Sequence, residues 1–194
     1  MRRICVFAGS SNGKRDVYVE TARILGWELV TRQIGLVYGG ASVGLMGVTA
    51  DAVLAGGGEV FGVMPRGLFR NEVAHQRLTD LLLVESMHER KAMMASLSDG
   101  FIVLPGGYGT FDEAFEIITW AQIGIHRKPV GFLDVDGYFD PFFALVEHAI
   151  REGFIQPGQD ALFVRDADPA GLIDRMRRHV PPGPTKPTVI PPEP

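Results

Sequence analysis

Nine consecutive residues, Pro105-Gly106-Gly107-Tyr108-Gly109-Thr110-Phe111-Asp112-Glu113, hold three glycines, a threonine hydroxyl and two carboxylates. An apolar run, Phe101-Ile102-Val103-Leu104, leads in, and a helix-like stretch from Phe111 to Ile123 leads out. A strand, a glycine turn and a helix N-terminus in this order form an anion site. Glycine lacks a Cβ and lets backbone N–H groups approach closely, and the helix end adds unpaired donors and partial positive charge. Glu113, one turn into the helix, separates the stretch from an ordinary phosphate loop. A fixed carboxylate beside a phosphate site points to chemistry on a phosphorylated substrate.

Thr110 and Glu113 also have the spacing of a capping box, in which the threonine caps the helix and the glutamate caps back. The two readings are compatible, because a capping geometry would hold the carboxylate rigidly. Glu116 follows three residues on, along the same face. Arg90 and Lys91 fall in the first turns of a helix that begins at Ser86, where the macrodipole disfavours cations. Two adjacent cations there, just after a strand end, point to an anionic partner, and arginine suits bidentate phosphate or carboxylate contact. Met87, Met93 and Met94 read as packing residues. His88 and His126 lack partners at metal-ligand spacing. The chain reads Gly9-Ser10-Ser11-Asn12-Gly13 after its first strand, which is not the G-x-G-x-x-G dinucleotide fingerprint. No G-x-x-x-x-G-K-[ST] loop is present either.

Strands are expected at Ile4 to Ala8, Ile34 to Tyr38, Glu59 to Met64, Leu81 to Val84, Phe101 to Leu104, Pro129 to Val135 and, at an edge, Ala161 to Val164. Helices alternate with them: Arg15 to Arg32, Val43 to Ala55, Ser86 to about Ser98, the Phe111 stretch, Asp140 to Glu152 and Pro169 to His179. Ser86 and Glu89 have capping-box spacing. Strand–helix alternation with continuous apolar runs predicts an α/β fold: a mostly parallel sheet of about seven strands with helices on both faces. Ligands in such folds bind beyond the carboxyl ends of the strands. Three glycine turns, at Gly9-Ser10, Gly39-Gly40 and Gly106-Gly107, are therefore expected on one rim. Between Pro65 and Asp80 the alternation pauses in a charged loop holding Arg66, Arg70, Asn71, Glu72, His75 and Arg77, of the kind that forms lids.

The chain of 194 residues, 46% apolar and 22% charged, suits a single domain over 1–180. The segment 181–194 is rich in proline and is expected to be unpacked. A net charge of -4 gives no electrostatic case for nucleic-acid binding. The single cysteine, Cys5, excludes an intrachain disulfide and fits a reducing cytoplasm. The N-terminal apolar stretch stops at Gly9, too short for a membrane span.

The nine-residue stretch resembles the PGGxGTxxE signature of the Lonely Guy (LOG) family of phosphoribohydrolases, long mislabelled as lysine decarboxylases. Met87-His88-Glu89-Arg90-Lys91 is similar to the family's second signature. Val37-Tyr38-Gly39-Gly40-Ala41-Ser42-Val43-Gly44-Leu45-Met46-Gly47 resembles its glycine-rich turn, with Ala41 where glycine is common, and Phe7-Ala8-Gly9-Ser10-Ser11 resembles its opening. The resemblance implies a Rossmann-like fold and a homodimer with sites near the interface. It also implies cleavage of the N-glycosidic bond of a nucleoside 5′-monophosphate with an adenine-type base. Arg90 and Glu113 would be catalytic. Gly106, Gly107, Tyr108, Gly109, Thr110 and Lys91 would contact the ligand, with Glu72 and Thr119. Gly9, Ser10, Gly39, Gly40 and Glu116 complete the expected binding set. No metal or redox cofactor is needed, and nothing reads as a pyridoxal phosphate site. The alternative is a nucleotide-binding or carrier module of the same fold without catalysis.

Overall fold

The computed structural model describes residues 1–69 and 74–184. Its centre is a seven-stranded parallel sheet in the order β4-β3-β2-β1-β5-β6-β7. The strands are β1 (Arg3–Phe7), β2 (Gly35–Tyr38), β3 (Val60–Pro65), β4 (Asp80–Val84), β5 (Gly100–Val103), β6 (Val130–Leu133) and β7 (Phe163–Asp166). The helices are α1 (Asp16–Thr31), α2 (Gly44–Ala55), the single turn α3 (Arg66–Phe69), α4 (Met87–Leu97), α5 (Tyr108–Gln122), α6 (Asp140–Arg151) and α7 (Pro169–Arg178).

Strand side chains alternate between faces, and β1 is apolar on both. Ile4 and Val6 join the core under α1, α2 and α7, while Cys5 and Phe7 join the core under α4, α5 and α6. Burial on both faces is why the strands read as continuous apolar runs. Gly26 lets α1 and α2 touch, since a Cβ there would lie 2.9 Å from Thr49 O.

The chain adds β2, β3 and β4 on one side of β1, then crosses to place β5 on the other. The β1/β5 boundary is the point where strand order reverses, and a crevice opens there at the carboxyl ends. The turns after β1 and β5 are bonded across it, Gly9 N–H donating to Pro105 O at 3.0 Å.

Some boundaries differ from the sequence reading. Helix α5 begins at Tyr108, with Gly107 as its N-cap. The first intrahelical bond runs from Phe111 N–H to Gly107 O, 3.0 Å. Thr110 is therefore the third helical residue, and the Thr110–Glu113 capping box does not form. Gly-Tyr-Gly reads as a turn because glycine costs about 1 kcal/mol in a helix interior, a penalty that misleads at an open first turn. The Ser86 cap does form: Ser86 Oγ accepts from Glu89 N–H at 3.1 Å, although Glu89 Oε2 reaches back to Glu85 N–H rather than to Ser86. Strand β7 starts at Phe163, because Gln159–Leu162 forms a 3-10 turn.

Candidate active site

A cleft of about 250 Å³ opens at the β1/β5 crevice. One wall is the turn after β1 (Ala8, Gly9, Ser10), and the floor is Gly39 after β2. The opposite wall is the start of α5 (Gly107, Tyr108, Gly109, Thr110), with Glu113 one turn deeper and Arg90 reaching in from α4. Met46, Met64, Pro65 and Met87 complete it with an apolar side.

Each polar group is held by packing. Gly106 lies beneath the cleft, where a Cβ would stand 2.7 Å from Thr110 Cβ and 2.9 Å from Gly9 N. The Tyr138 hydroxyl donates to Gly106 O. Gly107 and Gly109 differ: a Cβ at either would meet nothing within 4 Å, and neither has positive φ. Packing does not require glycine at these positions, so its value there is the open approach it leaves to the first-turn N–H groups.

Arg90 is placed by three contacts. Its Nε donates to Val63 O at 3.1 Å, its Nη1 donates to Glu113 Oε1 at 3.1 Å, and its Nη2 lies over Gly39, where any Cβ would overlap the guanidinium. Both partners are largely buried, with side chains 13% and 10% exposed. Burial pushes the Glu113 carboxyl up to about 7; Arg90 pulls the other way, Asp112 adds to the rise and Lys91 opposes it. A carboxyl near neutrality beside a guanidinium can serve as a base or as an electrostatic stabiliser.

Lys91 Nζ lies 3.1 Å from Asp112 Oδ2 and 3.0 Å from Glu116 Oε1. Burial works against its charge, but the bonds from Glu116 and Asp112 outweigh it and its pKa is raised. The anions that answer the misplaced cations of α4 are thus, in the first instance, carboxylates of α5.

Of the expected residues, the structure gathers Gly9, Ser10, Gly39, Arg90, Gly107, Tyr108, Gly109, Thr110 and Glu113 around one cleft. Gly106 supports it from below. Gly40, at φ +84, accepts from His75 N–H at 3.0 Å and shapes the turn behind Gly39. Lys91 and Glu116 sit beside the cleft without lining it. Thr119 lies farther along α5, in a separate apolar groove with Phe115 and Phe142. Glu72 falls outside the described residues. Met87, read as packing, is 43% exposed and lines the cleft. Met46, Met64 and Pro65 were not foreseen as site residues. Their convergence depends on strand order, and only the Val37–Gly47 and Met87–Lys91 stretches hinted at it. Among the described residues, no group of three or more His, Cys, Asp or Glu is arranged to hold a metal ion.

A family model described as "Possible lysine decarboxylase" matches residues 46–176. A probable cytokinin riboside 5′-monophosphate phosphoribohydrolase of Oryza sativa subsp. japonica is 53% identical over 180 residues, covering 93% of this chain and 79% of that protein. The chain belongs to the LOG family. A second LOG relative, a cytokinin riboside 5′-monophosphate phosphoribohydrolase of Arabidopsis thaliana, is 48% identical over 180 residues, with the same 93% and 79% coverage. The LOG fold extends further than the LOG sequence. The molybdenum cofactor carrier protein of Chlamydomonas reinhardtii superposes with a TM-score of 0.68 at 20% identity, covering 91% of this chain and 96% of that one. That likeness concerns the fold alone. In this LOG chain both signatures face the same cleft, through Arg90 and Glu113.

Proposed function

We propose that the chain hydrolyses the N-glycosidic bond of an adenosine 5′-monophosphate, N6-modified as in the cytokinins, to free base and ribose 5-phosphate. The buried Arg90–Glu113 pair carries this reading. A nucleotide carrier needs the glycine turn and a helix end, but it has no need of a carboxylate held near neutrality beside a guanidinium. The phosphate would bind the N–H groups of Tyr108, Gly109 and Thr110 at the positive end of α5. As the C1′–N bond breaks, its electron pair leaves with the base and positive charge builds on the ribose. Glu113 would stabilise that charge and orient the attacking water, as carboxylates do in glycosidases. The water oxygen bonds to C1′ and one of its protons ends on the base. Arg90 would orient the phosphate or the departing base. The lysine decarboxylase description finds no support in the cleft, which no lysine lines among the described residues.

Phosphate recognition is tested by comparing N6-isopentenyl-AMP with the same nucleoside lacking phosphate. The nucleotide should be cleaved and the nucleoside should not. The ionised Glu113 is the working form, so kcat/KM should rise with pH through about 7 and fall below it, where the carboxyl is protonated. A profile flat from pH 5 to 8 would exclude a titrating Glu113.

A homodimer is proposed through α5. Phe115, Thr119 and Ile123 recur every fourth residue along one stripe, and Phe115 and Ile123 are 44% and 57% exposed, with Ile125 at 63% just beyond. A second copy on this stripe would cover the apolar side chains. Light scattering should give twice the chain mass, and Ile123→Glu should give the monomer; a monomeric wild type would overturn the assignment. Among the described residues no helix is long and apolar enough to cross a membrane. The buried free thiol of Cys5 is compatible with a proposed cytoplasmic location.

A further inference from the structure

Beside the Arg90–Glu113 pair stands a second ion cluster that the proposed reaction does not use. Arg90 and Lys91 are consecutive on α4, so their side chains leave the helix about 100° apart. Arg90 turns to Val63 and Glu113, while Lys91 turns to Asp112 and Glu116. Two adjacent cations of one helix thus grip three carboxylates in the first turns of the next, with Glu113 in the middle. The Lys91 side chain is 9% exposed and lines no part of the cleft. Glu116 Oε2 is buried without a hydrogen-bond partner, so Lys91, through Oε1, is the ionic contact holding that carboxylate among the described residues. The apolar stripe of α5 (Ala114, Ile117 and Ala121) packs on the sheet, but no side chain caps the helix at Gly107, so its first turns depend on contacts from outside the helix.

We infer that Lys91 is a positioning residue, not a substrate contact: by holding Asp112 and Glu116 it ties the first turns of α5 to α4, so that Glu113 meets Arg90 and faces the cleft. Its kinetic consequence rests on the phosphoribohydrolase reading. The carry-over from the LOG signature, which makes Lys91 a ligand contact, is thereby revised. Asp112 is 61% exposed and its half of the grip is screened by water. Glu116, at 23%, carries more of it. Lys91 also acts on Glu113 through charge. The groups facing Glu113 are Arg90 and Lys91 from α4, Asp112 on its own helix and the Cys5 thiol from β1. Both cations favour the ionised carboxylate and Asp112 opposes it. Removing Lys91 deletes one cation and leaves Asp112 unneutralised, so Glu113 should hold its proton to higher pH.

The test uses Lys91→Met, which keeps the stem and removes the charge, and Lys91→Arg, which restores the charge. Three quantities are read: kcat and KM for N6-isopentenyl-AMP across pH, and the Glu113 side-chain carboxyl titration by NMR, assigned with Glu113→Gln. In Lys91→Met, kcat should fall about tenfold or more with KM changed less than about twofold. The acid limb and the Glu113 titration should both move to higher pH. Lys91→Arg should recover most of the rate. A large rise in KM with kcat and the titration unmoved would make Lys91 a direct phosphate contact and overturn the inference. If the wild type releases no base, the functional reading fails, yet the titration still decides the positioning claim through Glu116→Gln, which keeps the Lys91 charge and removes its contact: a changed Glu113 titration supports it and an unchanged one overturns it. Should Lys91→Met not fold, Glu116→Gln loosens the grip from the other side. A lower kcat at constant KM then supports the claim, and an unchanged kcat contradicts it.

Discussion

Glu113→Gln is expected to lower kcat for base release by on the order of 10²–10³-fold, the range found when one preorganised electrostatic group is removed from a water-excluded site. KM should move far less, because the phosphate would be held by the α5 turn and not by this side chain. Glutamine keeps the shape of glutamate and can still meet Arg90, but it carries no charge to balance the developing cation on the ribose. Glu113 and Arg90 share a hydrogen bond in a largely buried pair, so folding must be checked alongside; circular dichroism and AMP binding should both match the wild type. In the variant the acid limb near pH 7 should vanish from whatever activity remains. Wild-type turnover in Glu113→Gln would remove the carboxylate from the mechanism.

The largest expected effect on stability is at Gly44, the first residue of α2. Its φ is +62, and a Cβ would drive into the backbone of the turn after β1, 2.5 Å from Gly9 O and closer still to Ser10 and Ser11. The left-handed conformation costs a side chain roughly 1–2 kcal/mol, and overpacking costs about 1–3 kcal/mol more. Gly44→Ala should therefore destabilise by about 3 kcal/mol, lowering Tm by roughly 6–12 °C in a chain of this size. Gly57→Ala is the comparison. Its φ is +77 but a Cβ meets nothing within 4 Å, so it should cost only the conformational part. Equal losses in the two variants would mean that the Gly44 approach is not tight. The turn displaced by Gly44→Ala is the one that lines the cleft, so kcat/KM should fall with stability at this site and not at Gly57.

Much of this architecture can be read from the sequence because the three central strands, β2, β1 and β5, are buried on both faces and each runs into a glycine turn. Ile4 to Ala8, Ile34 to Tyr38 and Phe101 to Leu104 announce themselves as apolar runs, and the parallel-sheet rule then puts their three turns on one rim. The start of α5 was less legible, since the glycines that open it to an anion are the residues that argue against a helix. The Arg90–Glu113 contact joins residues 23 apart in sequence, and no spacing rule reaches that far; only the two family signatures tied them together. The cations of α4 illustrate a different limit. Their position at a positive helix end correctly signalled a missing anion, but it could not say that α5 supplies one. The methionine side of the cleft carried little signal beyond the Val37–Gly47 and Met87–Lys91 stretches, because Met46, Met64 and Met87 look like core residues until α2, β3 and α4 are brought together.

Arg90 and Glu113 are proposed to serve N-glycosidic cleavage and not mere binding. The most direct test is to incubate the purified chain with N6-isopentenyl-AMP at pH 8, where Glu113 is ionised, and to quantify free base and ribose 5-phosphate by chromatography. The wild type should release the two products in equal amounts, and Glu113→Gln should release them on the order of 10²–10³-fold more slowly. Saturable binding of the nucleotide with neither product formed would contradict it, and would make the chain a nucleotide-binding module on a LOG fold.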